Sequence, residues 1–289
     1  MNTSSIIYHY TSIAAIQGMI DKYTKDSPYL TMWATHSQFL NDPTEYEYGK
    51  IVGQKLLEEV EQKLNIAEAD RLSFTMYDES MKQYFVQCER GISCYADSLY
   101  MATPFVISFS KNRDLLPMWT SYGKNGRGIA IGFNRESLEK HNNHFTVKDC
   151  YYDYDGSDYT PLKNKIKYWY EMMLQNINGA SEGYARVCQI ELIMTINAHV
   201  AAYIKHESYK YEQEVRCKVI KSSEIKFRES NGLIIPYTEL RIPIDAIEEI
   251  IIGPTQDAER MKLAIEMLLK TNGIYRDIKI KKSKIPYRG

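Results

Sequence analysis

A chain of 289 residues, 44% hydrophobic and 25% charged, has an ordinary globular composition, long enough for one large domain or a domain carrying a helical insertion, and disorder is excluded. A formal net charge of -1 excludes a global attraction to nucleic acid, so any binding of that kind needs a local patch. Five cysteines, Cys88, Cys94, Cys150, Cys188 and Cys217, lack the paired spacing of a zinc site and read as reduced thiols of a cytoplasmic protein. Met1 to Ile7 shows no secretory leader pattern, and no run of about 20 apolar residues suits a membrane span.

In chain order, Ile6 to Tyr10 predicts a first strand, and Thr11 or Ser12 caps a helix through Ile13, Ile16, Met19 and Ile20. Tyr29 to Ala34 predicts a second strand leading to Asn41-Asp42-Pro43, a turn in which the proline holds Asp42 extended. The spacing of Ile51, Leu56, Leu57 and Val60 predicts a helix over 45–64; a less regular helical stretch over 70–90 precedes a strand over 105–109. Leu116 to Gly123 reads as a short helix stopped by glycine, and Asn125-Gly126-Arg127-Gly128 as a turn feeding a strand over 129–133. That turn is too short for a phosphate loop.

Residues 137–160 read as irregular or strand-containing, 162–177 as a helix and 184–207 as a long apolar helix. A strand from Tyr211 towards Ile220 follows, then strands near 225–228, 233–235, 239–242 and 247–252. A helix over 257–270, closed by Asn272-Gly273, and a strand over 277–281 complete the chain. With no repeat and no linker, the expectation is one α+β domain over 1–289, with helical insertions around 45–100 and 160–207.

The most informative stretch is Glu212-Gln213-Glu214-Val215-Arg216. On the strand opening at Tyr211, both carboxylates and Arg216 share one face. Like charges so placed need a wet face, compensation by Arg216, or a cationic or polyhydroxyl ligand. A solvated face with an internal salt bridge is the plain structural reading. The chemical one is stabilisation of a sugar oxocarbenium ion, formed when a glycosidic bond such as that of NAD to nicotinamide breaks.

Several spaced phrases accompany this stretch: Tyr8-His9-Tyr10-Thr11, Phe39 to Glu45, Ile107-Ser108-Phe109-Ser110, Met118 to Tyr122 with Gly126-Arg127-Gly128-Ile129, Ile250 to Pro254 and Lys284 to Arg288. Together they resemble the bacterial family known as domain of unknown function 2971, along nearly the whole chain. That family in turn resembles the ADP-ribosyltransferase superfamily. There a first-strand His or Arg, a second-strand Ser, Thr or Tyr and a late-strand Glu surround NAD in a cleft between two small sheets.

The resemblance implies an α+β fold of split mixed or antiparallel sheets, with NAD as co-substrate and no metal. By it, His9 would bind the adenosine-side ribose or the pyrophosphate, assisted by Thr11, while Asn41, Asp42 and Glu45 would border the nicotinamide. Glu214 or Glu212 would be the catalytic carboxylate, with His9 also catalytic, and Ser108 would contact NAD. The E-x-E pair mixes in the pattern of Arg-type members, which leaves the choice between the two glutamates open. Arg216 would keep Glu214 ionised or contact pyrophosphate, and Phe39, Tyr10, Trp119 or Tyr122 would hold the nicotinamide.

The reaction implied is transfer of ADP-ribose to a macromolecule by a bacterial toxin or phage-defence effector, for which a neutralising antitoxin is the expected partner. Lys279, Lys281, Lys282, Lys284 and Arg288, with the tyrosines at 151, 152, 154, 159, 168 and 170, favour nucleic acid over protein as acceptor. The alternatives are an NAD glycohydrolase of the same fold and a non-catalytic nucleotide- or partner-binding module. Structural readings stand beside each residue: His9 as a satisfied core histidine, Asn41-Asp42-Pro43 as a plain turn, Trp119 and Tyr122 as core packing, and the basic tail as a solvated edge.

Overall fold

The computed structural model describes residues 5–40, 44–76, 104–140, 145–152, 158–219, 224–230 and 232–287. Asn41, Asp42, Cys88, Cys94, Tyr154, Arg288 and most of the helix expected over 70–90 lie outside the described residues.

The chain opens with β1 (Ile6–Thr11), α1 (Ile13–Ile20), β2 (Tyr29–His36) and α2 (Glu45–Lys63). There follow β3 (Phe105–Ser110), α3 (Leu116–Ser121), β4 (Ile129–Asn134), α4 (Arg135–Lys140), β5 (Phe145–Asp149) and β6 (Tyr151–Tyr152). Next are α5 (Thr160–Ile177), α6 (Glu182–His199), β7 (Ile204–Lys205) and β8 (Glu214–Val219). The last elements are β9 (Lys226–Ser230), β10 (Leu233–Pro243), β11 (Ile247–Ile252), α7 (Ala258–Thr271) and β12 (Lys279–Lys282). The fold is α+β with a mixed sheet. The residues cluster into two compact units, Met1–Thr35 with Phe105–Asp149 and Lys210–Gly289, and His36–Pro104 with Cys150–Tyr209.

The first unit is built on a ten-stranded sheet in the order β12-β11-β4-β1-β3-β2-β10-β9, with β8 joined to β3 and β5 to β8. β11 and β12 run parallel, whereas β1 pairs antiparallel with β3 and β4, β4 with β11, β8 with β3 and β5, and β10 with β2 and β9. Alternation sends Ile7, Leu30, Met32, Ile107, Phe109, Ile131, Val215, Cys217, Ile250 and Ile252 to one face. There they meet Ile16, Met19 and Ile20 of α1, Leu138 of α4, and Ile265 and Leu269 of α7.

Along β1 every residue from Ile6 to Thr11 is in register with β4, but β1 meets β3 at the pair Tyr8–Ser110. One glycine turn closes the β4 end of the sheet: Gly128 N–H donates to Gly123 O (2.8 Å) and Gly253 N–H to Gly128 O (3.0 Å).

In the second unit α2, α5 and α6 bury Leu56, Leu57, Ile166, Tyr170, Ile193 and Ile196 against one another. Gly49 of α2 lets the helix approach the Ala201 carbonyl, since a Cβ there would lie 2.4 Å from the oxygen. The helix expected over 184–207 stops at His199, where Val200 leaves helical geometry (φ -120°, ψ -66°) and Ile204 and Lys205 pair in parallel with Tyr151 and Tyr152. The strands expected at 233–235 and 239–242 are one strand, β10, paired with β9 up to Tyr237 and with β2 from Tyr237 onward.

Glu61 is wholly buried in this unit. Its Oε1 accepts from Leu72 N–H (2.8 Å), and its Oε2 has no hydrogen-bond partner. Burial raises its pKa, and the Leu72 N–H, Tyr170 and Arg71 oppose that shift only in part. A raised folded-state pKa means a contribution that is fully present below the unfolded value and lost as pH rises through the folded one. Glu61→Gln is therefore expected to stabilise the protein at pH 8 relative to wild type and to remove that advantage at pH 4. Urea titrations at the two pH values measure the difference, and equal effects at both would refute it.

Candidate functional site

The face of the first unit's sheet turned away from the apolar core carries the polar groups. Its register sets a row across five strands: Glu249, Gly132, Tyr8, Ser110 and Glu214. At the β11 end, the Glu249 carboxylate accepts from Tyr8 OH (3.0 Å), Arg113 Nε (2.8 Å) and Lys281 Nζ (2.7 Å). Burial alone would raise the Glu249 pKa, but the hydrogen bonds from Arg113, Lys281 and Tyr8 outweigh it and hold it at about 2. Gly132 makes room for this clamp, since a Cβ there would lie 2.9 Å from the Tyr8 ring and 3.2 Å from Glu249 Cγ. The sequence reading missed Glu249. Its signal was the acidic pair Glu248-Glu249 inside the otherwise apolar run from Ile247 to Ile252.

At the other end the shared strand face expected for Glu212 and Glu214 does not form. The strand begins at Glu214, Glu212 closes a 3-10 turn (Glu207–Glu212), and Gln213 between them takes φ 44°. A left-handed residue interrupts the alternation on which that expectation rested. Glu212 is buried and accepts at Oε1 from Tyr122 OH (2.8 Å), while its backbone carbonyl accepts from Ser110 Oγ (2.5 Å).

Glu214 is buried too, and both its oxygens accept from Arg216, at 2.8 Å from Nε and 3.2 Å from Nη2. Burial lowers the Arg216 pKa to about 9, so the guanidinium is still charged at neutral pH. Lys218, next along the same face, is pushed down to about 7 by burial and by the charge of Lys148.

His9 lies where β1 parts from β3. Its Nδ1 is 2.9 Å from the Ser108 carbonyl, and its ring meets Phe109 edge-on at 5.8 Å. Desolvation lowers its pKa. The carbonyl can only accept, so Nδ1 carries the proton and Nε2 is left with its lone pair. Strand alternation turns His9 to the Phe109 side and Glu214 to the other. The Ser108 side chain is exposed, on the face that carries Arg216.

Tyr10 donates to Asn112 O (2.8 Å) and packs edge-on against Trp119 at 4.8 Å. Trp119 is fully buried, its Nε1 donating to Asp114 (2.7 Å), so its ring is packed within the unit. Asp114 also accepts from Ser283 Oγ (2.7 Å) and Lys284 N–H (2.8 Å), which ties the C-terminal segment to this helix. Thr11 ends β1 opposite Ile129.

Thus His9, Tyr10, Thr11, Ser108, Trp119, Tyr122, Glu212, Glu214 and Arg216 all belong to the first unit. Phe39 and Glu45 belong to the second. There Phe39 meets His36 edge-on at 5.5 Å, and buried Glu45 lies 3.5 Å from Lys205. Among the described residues no group of three or more His, Cys, Asp or Glu side chains comes together to hold a metal, and no helix is long and apolar enough to cross a membrane.

No curated protein and no solved structure matches the chain. Residues 118–217, from α3 through the glycine turn to the Glu212–Arg216 stretch, match the model of a family described as Protein of unknown function (DUF2971), which supports the family resemblance read from the sequence.

Proposed function

We propose that this protein is an NAD-consuming enzyme of the ADP-ribosyltransferase type, acting on a macromolecule. One observation carries the reading: the Ser108–Ser110 stretch of β3 and the Glu212–Glu214 step at the start of β8 lie side by side, with Tyr122 reaching Glu212, while His9 on neighbouring β1 is turned to the opposite face of the sheet. Glu212 is the better candidate for the charge-stabilising carboxylate. The Tyr122 hydroxyl orients its Oε1, and the Ser110 hydroxyl holds its backbone carbonyl. A carboxylate fixed beside the nicotinamide ribose stabilises the positive charge that develops at the anomeric carbon as the bond to the nicotinamide nitrogen breaks. The ring nitrogen leaves with the bonding pair as neutral nicotinamide, and an acceptor nucleophile closes on the anomeric carbon.

The test is incubation with adenylate-labelled NAD and total RNA, DNA or lysate protein, following both free nicotinamide and labelled polymer. Glu212→Gln is expected to lower turnover by about 10²–10³-fold, the usual effect of removing one preorganised electrostatic group. Nicotinamide release without labelled polymer would make the enzyme a glycohydrolase. The buried, bidentate Glu214–Arg216 pair favours a second reading, a nucleotide- or partner-binding module without catalysis. That module predicts no NAD loss with any acceptor and unchanged ligand affinity in Glu212→Gln. If the enzyme is a toxin or phage-defence effector, co-expression with its neutralising protein should relieve growth arrest.

A further inference from the structure

The strands β2, β10 and β9 present a second set of residues on the polar face of the sheet. Leu30, Met32, Ala34, Leu240 and Ile242 point into the core, so Tyr29, Trp33, Tyr237 and Arg241 point the other way. Trp33 is 44% exposed and Tyr29 38%, unusual for rings at the middle and start of a strand in a large sheet. Each ring carries an arginine: Arg228 stands 5.6 Å over Trp33 and Arg241 stands 5.5 Å over Tyr29. Tyr237 backs Trp33 at 4.8 Å.

These guanidinium groups are held in place rather than loose. Arg228 donates to Thr35 Oγ1 (3.3 Å) and Arg241 to Ser27 Oγ (2.8 Å). Lys226 and Lys22 flank them, both paired with Glu239 (3.1 and 2.6 Å), and Lys226 also lies 3.7 Å from exposed Glu224. Four cations therefore stand against two carboxylates around the exposed rings of Tyr29 and Trp33. This local excess of charge is invisible in the formal net charge of -1.

We infer that this face binds single-stranded nucleic acid. Exposed rings and arginine planes stack unpaired bases, and the remaining guanidinium and ammonium donors meet phosphates. Tyr29 and Trp33, four residues apart on one strand, are about 13 Å apart at the usual rise, room for two splayed bases. A duplex hides the base faces that such a platform needs. The inference does not depend on NAD chemistry, because binding is read without turnover. Should both hold, the polymer lies on the same side of the sheet as Glu214.

Fluorescence anisotropy of the full-length protein with labelled 15-mers of oligo(dT), oligo(rU) and a duplex tests it, at low and at physiological salt. Expected is binding of one or both single strands, weakened by salt, with the duplex bound more weakly. Trp33→Ala and Arg241→Gln should each lower single-strand affinity about tenfold, with Trp33→Phe retaining most of it. Leu263→Ala, exposed on α7, serves as the control and should change nothing. Preference for the thymidine or uridine strand distinguishes a DNA from an RNA ligand. Absence of single-strand binding, equal or tighter duplex binding, or affinity untouched in both Trp33→Ala and Arg241→Gln proteins that melt like wild type would overturn the inference.

Discussion

Gly253→Ala is expected to destabilise the protein by about 3 kcal/mol or more, at the upper end of the usual cost of overpacking. A Cβ on Gly253 would lie 2.3 Å from the Gly126 carbonyl oxygen and 3.1 Å from that of Gly128. Gly128 meets the same obstacle, with Thr11 O at 2.3 Å and Gly123 O at 2.8 Å. These neighbours are backbone, so no side chain can swing aside, and the turn joining α3 to β4 would have to separate from the end of β11. Thermal melts should show a fall of about 6 °C or more, taking roughly 2–4 °C per kcal/mol for a chain of this size. Gly183, on α6 with nothing within 4 Å of its Cβ, is the comparison. There alanine should be neutral or stabilising by up to about 1 kcal/mol through helix propensity. Similar melting of Gly253→Ala and Gly183→Ala would contradict this account of the turn.

Arg216→Met should cost about 3–5 kcal/mol, because it leaves the Glu214 carboxylate buried without its bidentate partner. Arg216 is 3% and Glu214 4% exposed, so bulk water cannot replace the lost donors. The double variant Glu214→Gln/Arg216→Met should recover a large part of that loss, since a neutral pair carries no stranded charge. Urea unfolding of the two single variants and the double variant gives the coupling directly. Additive losses would mean that the pair does not act as a unit. The cycle also bears on function: if Glu214→Gln abolishes NAD turnover only as far as it unfolds the chain, Glu214 is a support and the chemistry rests on Glu212.

Much of the sheet was legible because its strands carry strong local signals. Ile129 to Phe133 and Ile250 to Ile252 are apolar runs with glycine beside them, and strands form at both. The break before Glu214 was not legible. Gln213 takes a positive φ without being glycine, asparagine or aspartate, so nothing local announces it, and the expected carboxylate face dissolved with that one residue. Glu249 escaped for a related reason: its donors come from Tyr8, Arg113 and Lys281, which no local pattern links to it.

The end of α6 was set by pairing between Ile204 and Tyr151, fifty-three positions earlier in the chain. Trp119 and Tyr122, one helical turn apart, proved to have different tasks: the indole is sealed in the interior, while the phenol orients a carboxylate. Spacing alone could not separate them.

The strand order also dictates a timetable for biosynthesis. β4 lies between β1 and β11, so one of its long edges is covered only when residues 247–252 have left the ribosome. Until then the nascent chain carries Ile129, Ile131 and Phe133 on a strand with unmet backbone donors and acceptors, the combination that invites intermolecular pairing. Pairings between strands so distant in sequence are also slow to form. A stop codon or a proteolytic cut before Ile247 would therefore give an aggregating fragment instead of a smaller folded protein.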